Sequence, residues 1–500
     1  MTEVELKLAL AAAQQRRFLA QPLLKQAVAS TRKKLLNIYY DTPELELFRH
    51  GIALRLRRQG EQWLQTVKCA GEASGGLAAR PEWETPHGGE FDFSAVSDPA
   101  VRKYLERLQP QLLPVFETNF LRITWRFEPR PSASLLLMLD RGWVAAGGRR
   151  ETISEVEIEL AGADTTELFA LAHGLAERVT LVPALRSKAE RGYRLFSATA
   201  EKPAKATLPT LRGEQSPLAA FRLIALACLE QIQANHGGVL DSDDPEYIHQ
   251  MRVGARRLRA ALRLFRPCLP ADFAEGLGST LRDLATCLGA TRDLDVLQTE
   301  TIAPIRASLP EEPRLAALAE LVAARREAAR QQTRQALAGR DYGRWLLTAS
   351  GEIHHLADPA APVYPTLAAF LDHQLPRLQR KVKRLARAAR QNDPLSLHAL
   401  RIGIKRLRYA LDFFQPLLGL KASRLKPLAE AQEALGHLND LASAGHRLEA
   451  LAAGHAELRE AVSLIGGWHA PRQAALLKRV PAVVEHLQRF RLPQATPPLP

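Results

Sequence analysis

Glu3-Val4-Glu5-Leu6-Lys7 is the stretch that decides the fold of the first part of this 500-residue sequence. Charged and apolar residues alternate in it, so in a β-strand Glu3, Glu5 and Lys7 share one face. Two carboxylates and an ammonium group are too costly to desolvate in an apolar core. We therefore expect this strand to line a wet interior that holds a metal ion and an anion.

Further segments of the first 200 residues alternate in the same way, and Gly-containing turns separate them. They are Ile52–Arg58, Trp63–Lys68, Arg80–Glu84, Phe120–Phe127, Ser134–Asp140 and Ser154–Leu160. Many of their charged residues form pairs of one sign at positions i and i+2, such as Glu82/Glu84 and Arg55/Arg57. Like charges this close repel unless a divalent cation lies between carboxylates or a phosphate between arginines. A solvated sheet face is the alternative interpretation of any single strand.

These strands predict a closed antiparallel β tunnel barrel with flanking helices, since a barrel of about eight strands leaves room for one small ligand. Helices are expected near residues 93–109 and 164–179, where Asp98-Pro99 and Asp164 are typical helix starts. The interior of such a barrel would carry both carboxylates and cations, which suits a polyanion with its magnesium or manganese ion.

The ordered set of motifs resembles the CYTH superfamily, the triphosphate tunnel metalloenzymes, over residues 1–198. After the ExExK pattern of the first strand come, in order, Arg55, Arg57, Lys68, Glu82, Glu84, Arg122, Asp140, Glu157, Glu159 and Ser187-Lys188-Ala189-Glu190-Arg191-Gly192-Tyr193. The resemblance implies a barrel that hydrolyses or transfers a triphosphate with bound Mg²⁺ or Mn²⁺.

The resemblance also implies a role for each residue. The metal would be held by Glu3, Glu5, Glu157 and Glu159, with Asp140 beside them. The phosphates would be bound by Lys7, Arg55, Arg57, Lys68, Arg122 and Lys188. The catalytic set would be Glu3, Glu5, Lys7, Glu82 and Glu84. Asp140 also fits a turn before Arg141-Gly142, and Arg122 also fits a surface ion pair.

The composition changes after residue 198. Residues 199–213 are rich in Pro, Ala, Thr and Lys without a period, which predicts a linker. Residues 214–490 show helical periodicity and predict an all-α domain, and residues 491–500 predict a loose tail. The formal net charge is +14, of which residues 1–200 contribute +3 from 27 Lys and Arg against 24 Asp and Glu. The basic excess of the second part points to an anionic partner.

The helical part contains an internal repeat. The segment from Asp244 to Phe265 recurs from Asp393 to Phe414, with eleven identities in twenty-two residues. Flanking matches extend the repeats to about residues 214–300 and 363–450, so we expect a pseudo-two-fold pair of helical bundles. One face of each repeated helix is basic: His249, Arg252, Arg256 and Arg259 in the first copy, and His398, Arg401, Lys405 and Arg408 in the second. An ordinary solvated helix face is the alternative, but such faces usually mix Glu with Lys.

This part resembles the CHAD domain, a helical module linked to polyphosphate binding. The resemblance implies that the eight basic residues line a groove for an inorganic polyanion. The order of the two domains is similar to that of bacterial inorganic triphosphatases, so we expect hydrolysis of inorganic triphosphate together with polyphosphate binding. A non-catalytic polyphosphate-binding or granule-associated protein, and a tunnel enzyme acting on thiamine triphosphate or cyclising ATP, remain open alternatives.

The expected location is the cytoplasm, with association to polyphosphate granules left open. Four cysteines without metal-ligand spacing suit a reducing compartment, and we expect no signal peptide and no membrane partner. Nucleic acid is not expected as a partner, because few aromatic residues accompany the basic faces. The sequence leaves the oligomeric state open.

Overall fold

The structure is a computed structural model that describes residues 2–74, 76–131, 133–389 and 393–492. Within these ranges the side chains of Thr2, Glu3, residues 72–74 and Ala422 are not described. The predicted tail lies outside the described residues from residue 493 onward. The chain forms two compact units, and each is described by itself: Met1–Ala204 with Leu337–His355, and Lys205–Ala336 with Leu356–Pro500.

The first unit is built on a closed antiparallel barrel. Its strands are β1 (Thr2–Leu10), β2 (Ala29–Asp41), β3 (Ile52–Gln59), β4 (Gln62–Cys69), β5 (Glu72–Ser74), β6 (Leu77–Pro86), β7 (Leu113–Arg130), β8 (Ala133–Ala146), β9 (Arg149–Ala161) and β10 (Leu181–Pro183). Eight of them close a ring in the order β1-β9-β8-β7-β2-β3-β4-β6, because β6 pairs back onto β1. The short strands β5 and β10 attach to β6 and β1. The predicted tunnel barrel is confirmed.

Strand β2 was not predicted, although it is one of the longest in the ring. Its first six residues are exposed, and they include three consecutive cations, Arg32 to Lys34. Its second half carries Leu, Ile and Tyr on both faces, so the two-residue alternation that marks the other strands is hidden. The strand joins β3 to β7 and thereby completes the wall.

Five helices flank the barrel: α1 (Gln15–Leu19), α2 (Glu46–Arg49), α3 (Pro99–Leu108), α4 (Thr165–Ala176) and α5 (Lys188–Phe196). The two predicted helix starts are confirmed by side-chain caps. Asp98 accepts hydrogen bonds from the N–H groups of Ala100 and Val101, and Asp164 forms a capping box with Glu167. The first of these two helices begins at Pro99, at the expected Asp98-Pro99 start, and residues 91–98 before it form a loop, so it is shorter than the predicted stretch 93–109.

The barrel turns its apolar face outward. Leu6 of β1 lies opposite Ile158 of β9, and both are fully buried beneath α4, whose Leu168 and Ala172 belong to the same core. Helices therefore cover the outside of the strands, whereas the alternate charged residues point inward. This inversion creates a polar interior without exposing the core to water.

The second unit is helical in the part of the chain that the structure describes. Its helices, together with α11 of the first unit, are α6 (Pro217–Asp241), α7 (Pro245–Leu264), α8 (Ala271–Val296), α9 (Ala303–Ser308), α10 (Pro313–Ala338), α11 (Arg340–His355), α12 (Leu367–Ala388), α13 (Pro394–Phe414), α14 (Ala422–Ala452) and α15 (Arg459–Arg489). A π-helical turn, Leu297–Ile302, follows α8. The repeated segments form α6–α8 and α12–α14, and Asp244 and Asp393 cap α7 and α13 as predicted. The all-α prediction is confirmed.

Helix α6 is long and apolar enough to cross a membrane by composition, which the sequence reading did not anticipate. Of its most apolar stretch, 67% is buried inside the bundle. Phe221, Ile224 and Leu229 are among its fully buried side chains. This burial is typical of the core helix of a helical bundle.

Helix α11 belongs to the barrel unit although it comes from the second half of the chain. Leu346 and Leu347 are fully buried, and Leu347 joins the core beneath α4. Arg340 donates a hydrogen bond of 2.7 Å to the carbonyl oxygen of Glu177. Gly343 lies so close to β10 that a Cβ atom there would stand 2.3 Å from the carbonyl oxygen of Leu181. This packing was not predicted from the sequence.

We predict that Gly343→Ala destabilises the barrel unit, because its new methyl group must displace the Leu181 carbonyl and with it β10. The free energy of unfolding should fall by about 1–3 kcal/mol. Calorimetric unfolding of the full chain measures the loss, and hydrogen exchange of β10 locates it. Gly237→Ala is the matched control: its Cβ meets open space within α6, so it should stabilise by up to about 1 kcal/mol. Equal stability of Gly343→Ala and the wild type would contradict the assignment.

Candidate functional site

The barrel encloses a cavity of about 740 Å³ whose wall is dominated by charged side chains. Its carboxylates are Glu5, Glu82, Glu84, Glu157, Glu159 and Glu190, and its cations are Lys7, Arg55, Arg57, Lys68, Arg80, Arg122 and Lys188. The structure thus brings together most of the residues named from the sequence. Two differ: Glu3 has no described side chain, and Asp140 lies behind the wall with 0% of its surface exposed.

Strand register explains how distant residues meet in this cavity. Glu5 of β1 lies directly opposite Glu159 of β9, and Lys7 lies opposite Glu157. Across the barrel Lys68 of β4 is paired with Glu82 of β6 in the same manner. Directly opposed residues in an antiparallel pair point to the same face, so each pair enters the cavity together.

The wall formed by β3, β4 and β6 holds cations that are partly neutralised by two carboxylates. Lys68 Nζ lies 2.9 Å and Arg55 Nη2 3.5 Å from Glu82. Glu84 lies 3.7 Å from Arg57 and accepts a 3.0 Å hydrogen bond from the Thr66 hydroxyl. With Arg80 of β6, four cations of this wall line the cavity beside two carboxylates, and an anion in the cavity would balance the excess.

The pKa of Arg57 reflects this excess of positive charge. Burial and repulsion from Arg55 and Arg122 together lower the pKa of its guanidinium to about 10. Its Nε donates a 2.8 Å hydrogen bond to Asn37 Oδ1, which fixes the plane of the group. A buried guanidinium under such repulsion is a strong binding group for phosphate oxygens.

The opposite wall is organised around the Lys188 ammonium group. Its Nζ lies 2.6 Å from Asp140 Oδ2 and 2.9 Å from Glu157 Oε1, and it also contacts Glu155. Burial alone would lower the pKa of Lys188, but these three carboxylates outweigh it and raise the pKa. Arg122 adds a second cation, with contacts of 2.6 Å to Asp140 and 2.5 Å to Glu157.

Glu157 joins the two halves of this network. Burial alone would raise the pKa of its carboxyl group, but Lys188, Arg122 and Lys7 together hold the pKa well below its usual range. Lys7 shows the converse effect: burial opposes the charged form, yet the carboxylates of Glu5 and Glu157 raise its pKa. Its Nζ lies 2.6 Å from Glu5 Oε1. The network therefore stays ionised inside the barrel.

Helix α5 delivers Lys188 to the cavity wall. Ser187 caps the helix through a capping box with Glu190. Gly192 allows the helix to pack closely, since a Cβ there would stand 2.1 Å from the ring of Phe116 on β7. The local sequence Ser187 to Tyr193 thus specifies both where the helix starts and how near it lies to the strands.

The chemistry of the carboxylates decides where a metal would fit. Asp140, Glu155 and Glu157 converge with one oxygen each within 4.8 Å of one another, which is a possible cation site. The Lys188 ammonium group already lies among these oxygens, and Arg122 and Arg191 pair with the same carboxylates, so the charge of this triad is balanced within the protein. Glu5 and Glu159 face the cavity beside Glu157. Carboxylate oxygens at this open position suit Mg²⁺ or Mn²⁺.

Three residues of the site received no predicted role from the sequence. Arg80 lines the cavity, and its alternation with Glu82 was the signal that identified it as an inward residue. Tyr39 lies on the unpredicted strand β2, and its hydroxyl accepts a 3.4 Å hydrogen bond from Arg55. Glu155 shares its strand face with Glu157 and contacts Lys188. Its role depends on the contact with α5, and no periodicity in the sequence predicts that α5 packs against β9.

In the helical unit, the structure brings residues of both basic faces together. Arg256 of α7 donates a 2.5 Å hydrogen bond to the hydroxyl of Tyr409 on α13. Burial and repulsion from Arg401 and Arg256 lower the pKa of Lys405 to about 8. Arg252 also contributes to this repulsion. We call Arg252, Arg256, Arg401 and Lys405 the central cation cluster.

The other predicted residues of the basic faces have neighbours outside the central cation cluster, although His249 also lies close to its Arg252 and Arg256. Arg408 lies 3.8 Å from Asp412, and Arg259 lies near Arg263. His398 is hydrogen-bonded to Asn439 at 3.2 Å. Burial and nearby Arg292 lower the pKa of His249.

Two carboxylates from neighbouring helices partly neutralise the central cation cluster. Arg252 lies 3.8 Å from Asp293 of α8, and Arg401 lies 3.9 Å from Asp440 of α14. The two pairs occupy corresponding positions of the repeat. The sequence reading treated the basic faces as free of acids, because these partners come from the next helix.

Comparison with known proteins agrees with this architecture. Residues 1–193 match the CYTH domain model and residues 223–449 match the CHAD domain model. An inorganic triphosphatase of Haemophilus influenzae is 30% identical over 198 residues, which cover 39% of this chain and 56% of that protein. The chain thus spans about half the length of this relative. The crystal structure of the CHAD domain from Ricinus communis is 34% identical, covers 59% of this chain and 100% of its own, and has a TM-score of 0.50.

The fold and the cavity thus define a tunnel barrel joined to a helical module. The chain carries a CYTH domain followed by a CHAD domain.

We predict that Glu157→Gln lowers the free energy of unfolding by about 3–5 kcal/mol at pH 7, because it removes a buried carboxylate that Lys188 and Arg122 share with Asp140 and leaves one buried positive charge uncompensated. The folded-state pKa of Glu157 is lowered, so its contribution is present above about pH 4.5 and is lost as the pH falls through the folded value. The difference from wild type should therefore shrink at pH 4 and pH 3. Urea unfolding across this range measures it, with exposed Glu106→Gln as the control. A difference that does not depend on pH would contradict the assigned ion pairs.

Proposed function

We propose that the tunnel hydrolyses inorganic triphosphate, with a divalent metal ion, to pyrophosphate and phosphate. The observation that carries this proposal is the cavity itself, where carboxylates on β1 and β9 face a wall of cations on β3 and β4. This division suits a polyphosphate anion with a bound metal ion. The carboxylates of one wall would hold the metal ion, and the cations of the other wall would bind the remaining phosphate oxygens. The Haemophilus relative, an inorganic triphosphatase by name, supports the choice of substrate.

The residues of this chain bind and orient the substrate. Arg55, Arg57 and Lys68 would bind phosphate oxygens on one wall, and Lys7 and Arg122 would bind them on the other. Their fixed positive charges stabilise the charge that develops on the oxygens during phosphoryl transfer. The closed barrel excludes bulk water, which strengthens these interactions.

The metal would be held by Glu5, Glu157 and Glu159, with Glu3 on the same strand face as Glu5. A bound Mg²⁺ or Mn²⁺ would polarise the phosphoryl oxygens for attack by water. We assign Asp140 a supporting role, because it is fully buried and does not line the cavity, whereas Glu157, which pairs with the same two cations, does. Glu82 and Glu84 orient the cations of their wall and exchange these partners with the substrate.

We further propose that the central cation cluster of the helical domain binds inorganic polyphosphate. It gathers four cations from two helices of the repeat, and two carboxylates neutralise it in part. His249 and His398 lie on the same helix faces and add hydrogen-bonding groups. Tyr409 is engaged with Arg256, so we do not assign a stacking platform for nucleic acid.

We propose a cytoplasmic location for the protein. Its four cysteines are free thiols, which fits a reducing compartment. A polyphosphate-binding surface would also allow association with polyphosphate granules.

Phosphate release tests the tunnel proposal. Wild type should release phosphate from tripolyphosphate with Mg²⁺ or Mn²⁺, and EDTA should abolish the release. Glu5→Gln should reduce the rate by about 10²–10³-fold, because it removes a carboxylate from the proposed metal site. Mn²⁺ titration by electron paramagnetic resonance should show weaker binding in the same variant.

The matched control for this experiment is Glu106→Gln, which removes an exposed carboxylate of α3 and should leave rate and Mn²⁺ binding unchanged. Pyrophosphate and ATP serve as alternative substrates. Absence of metal-dependent phosphate release from tripolyphosphate would refute the proposed activity. Faster turnover of ATP than of tripolyphosphate would show that the substrate is an organic triphosphate.

The pKa of Lys405 gives a second test. Its value of about 8 means that the free protein loses this charge as the pH rises from 7 to 9, while His249, with its lowered pKa, is already neutral. Polyphosphate affinity should therefore fall by up to about tenfold over this range. Lys405→Arg should retain its affinity, because arginine stays protonated. Binding isotherms at constant ionic strength measure both, and parallel curves for the two proteins would contradict the assignment.

A further inference from the structure

A second basic surface lies on α12, apart from the central cation cluster. Its exposed cations are Arg377, Arg380, Lys381, Arg384 and Arg387. We call them the α12 basic face. Their spacings of three, four and seven residues place them along one side of the helix, over about 15 Å.

This face points away from the central cation cluster. Helix α12 packs on α13 through Leu385 and Val382, which lie 2.7 and 3.8 Å from the Cβ position of Gly403. At 3.6 residues per turn, the α12 basic face lies on the far side of α12 from this contact. Arg401 and Lys405 each lie two residues from Gly403, so they lie on the far side of α13. The two basic surfaces therefore occupy opposite sides of the α12–α13 hairpin.

The charge of the α12 basic face is not neutralised by the protein. Among the residues that the structure describes, none forms an ion pair with any of its five cations. The helix contains a single acid, Asp372, which precedes the face by more than one turn. Exposed helix faces usually mix Glu with Lys at helical spacing, because like charges repel. Five neighbouring cations without such partners favour an anionic ligand.

The repeat itself does not require these cations. The repeats are offset by 149 residues, the distance from Asp244 to Asp393. At this offset, the α6 positions that correspond to the five cations are Cys228, Gln231, Ile232, Asn235 and Gly238. All five are buried in the first bundle. The same helix is thus a core helix in one copy and carries an exposed basic face in the other.

We propose that the α12 basic face is a second binding surface for inorganic polyphosphate, which long chains occupy together with the central cation cluster. This inference rests on the proposed polyphosphate binding of the helical domain. Helix axes in contact lie about 8–10 Å apart, so a chain must pass around two helices to reach both surfaces. A short chain would occupy one surface, whereas a long chain would gain affinity because its second contact is intramolecular. The face carries no aromatic residue for base stacking.

The test compares short chains of about 10 phosphates with long chains of more than about 100, using the full-length protein. The variant Arg380→Gln/Lys381→Gln/Arg384→Gln should bind short chains like the wild type. Its affinity for long chains should fall by about tenfold or more, with a shallower dependence on salt concentration. Circular dichroism checks that the variant is folded, which is expected because all three side chains are exposed.

The matched control Arg16→Gln/Arg17→Gln/Lys25→Gln removes the same charge from exposed positions of the barrel unit and should bind both chain lengths normally. Equal losses in control and α12 variant would overturn the proposal, as would unchanged binding of long chains. Duplex DNA that displaces long polyphosphate at equal phosphate concentration and matched salt would reassign the face to nucleic acid. If the wild type binds neither short nor long chains, the proposed polyphosphate binding of the helical domain is refuted as a whole. If short chains bind normally and only the long-chain prediction fails, the failure concerns the α12 basic face alone.

Discussion

The ammonium group of Lys188 among Asp140, Glu155 and Glu157 is the interaction on which the tunnel depends. A closed barrel with charged side chains inside is unfavourable unless those charges neutralise one another, because little water remains to solvate them. Lys188 comes from a helix outside the ring and balances carboxylates of β8 and β9. Arg122 shares two of the same carboxylates from β7. The network joins three strands and one helix, so it fixes the wall while leaving Glu5 and Glu159 toward the cavity.

The same principle explains why the two walls differ. On the wall of β3, β4 and β6, the two arginines lie at longer distances from their carboxylates, with Arg55 3.5 Å from Glu82 and Arg57 3.7 Å from Glu84. These groups are positioned to exchange partners with a ligand. On the wall of β7, β8 and β9, contacts near 2.6 Å hold the charges in place. One barrel thus combines a structural ion network with a set of loosely paired binding groups.

Much of this arrangement is visible in the sequence, because a strand has a period of two residues and each inward residue can be read directly. That reading identified Glu5, Arg55 and Glu159 without any structure. It failed for β2, where Leu, Ile and Tyr occupy both faces. It could not place Asp140 behind the wall, because this residue ends the apolar stretch Leu135 to Leu139, which shows no alternation, and its partner Lys188 comes from a distant helix. In the helical unit the repeat predicted the two basic faces, but the partners Asp293 and Asp440 come from other helices and no local period reveals them.

Helix α11 has a consequence for the synthesis of the protein. The strands of the barrel are complete by residue 183, yet Leu347 of the barrel core is added about 160 residues later in the chain. At typical rates of about 5–20 residues per second, translation of the intervening segment takes roughly 8 to 30 seconds. During this time the apolar surfaces of α4 and β10 have no cover from α11. The newly made barrel therefore exposes an apolar surface while the ribosome synthesises the first helical bundle. A chaperone would be needed during this interval.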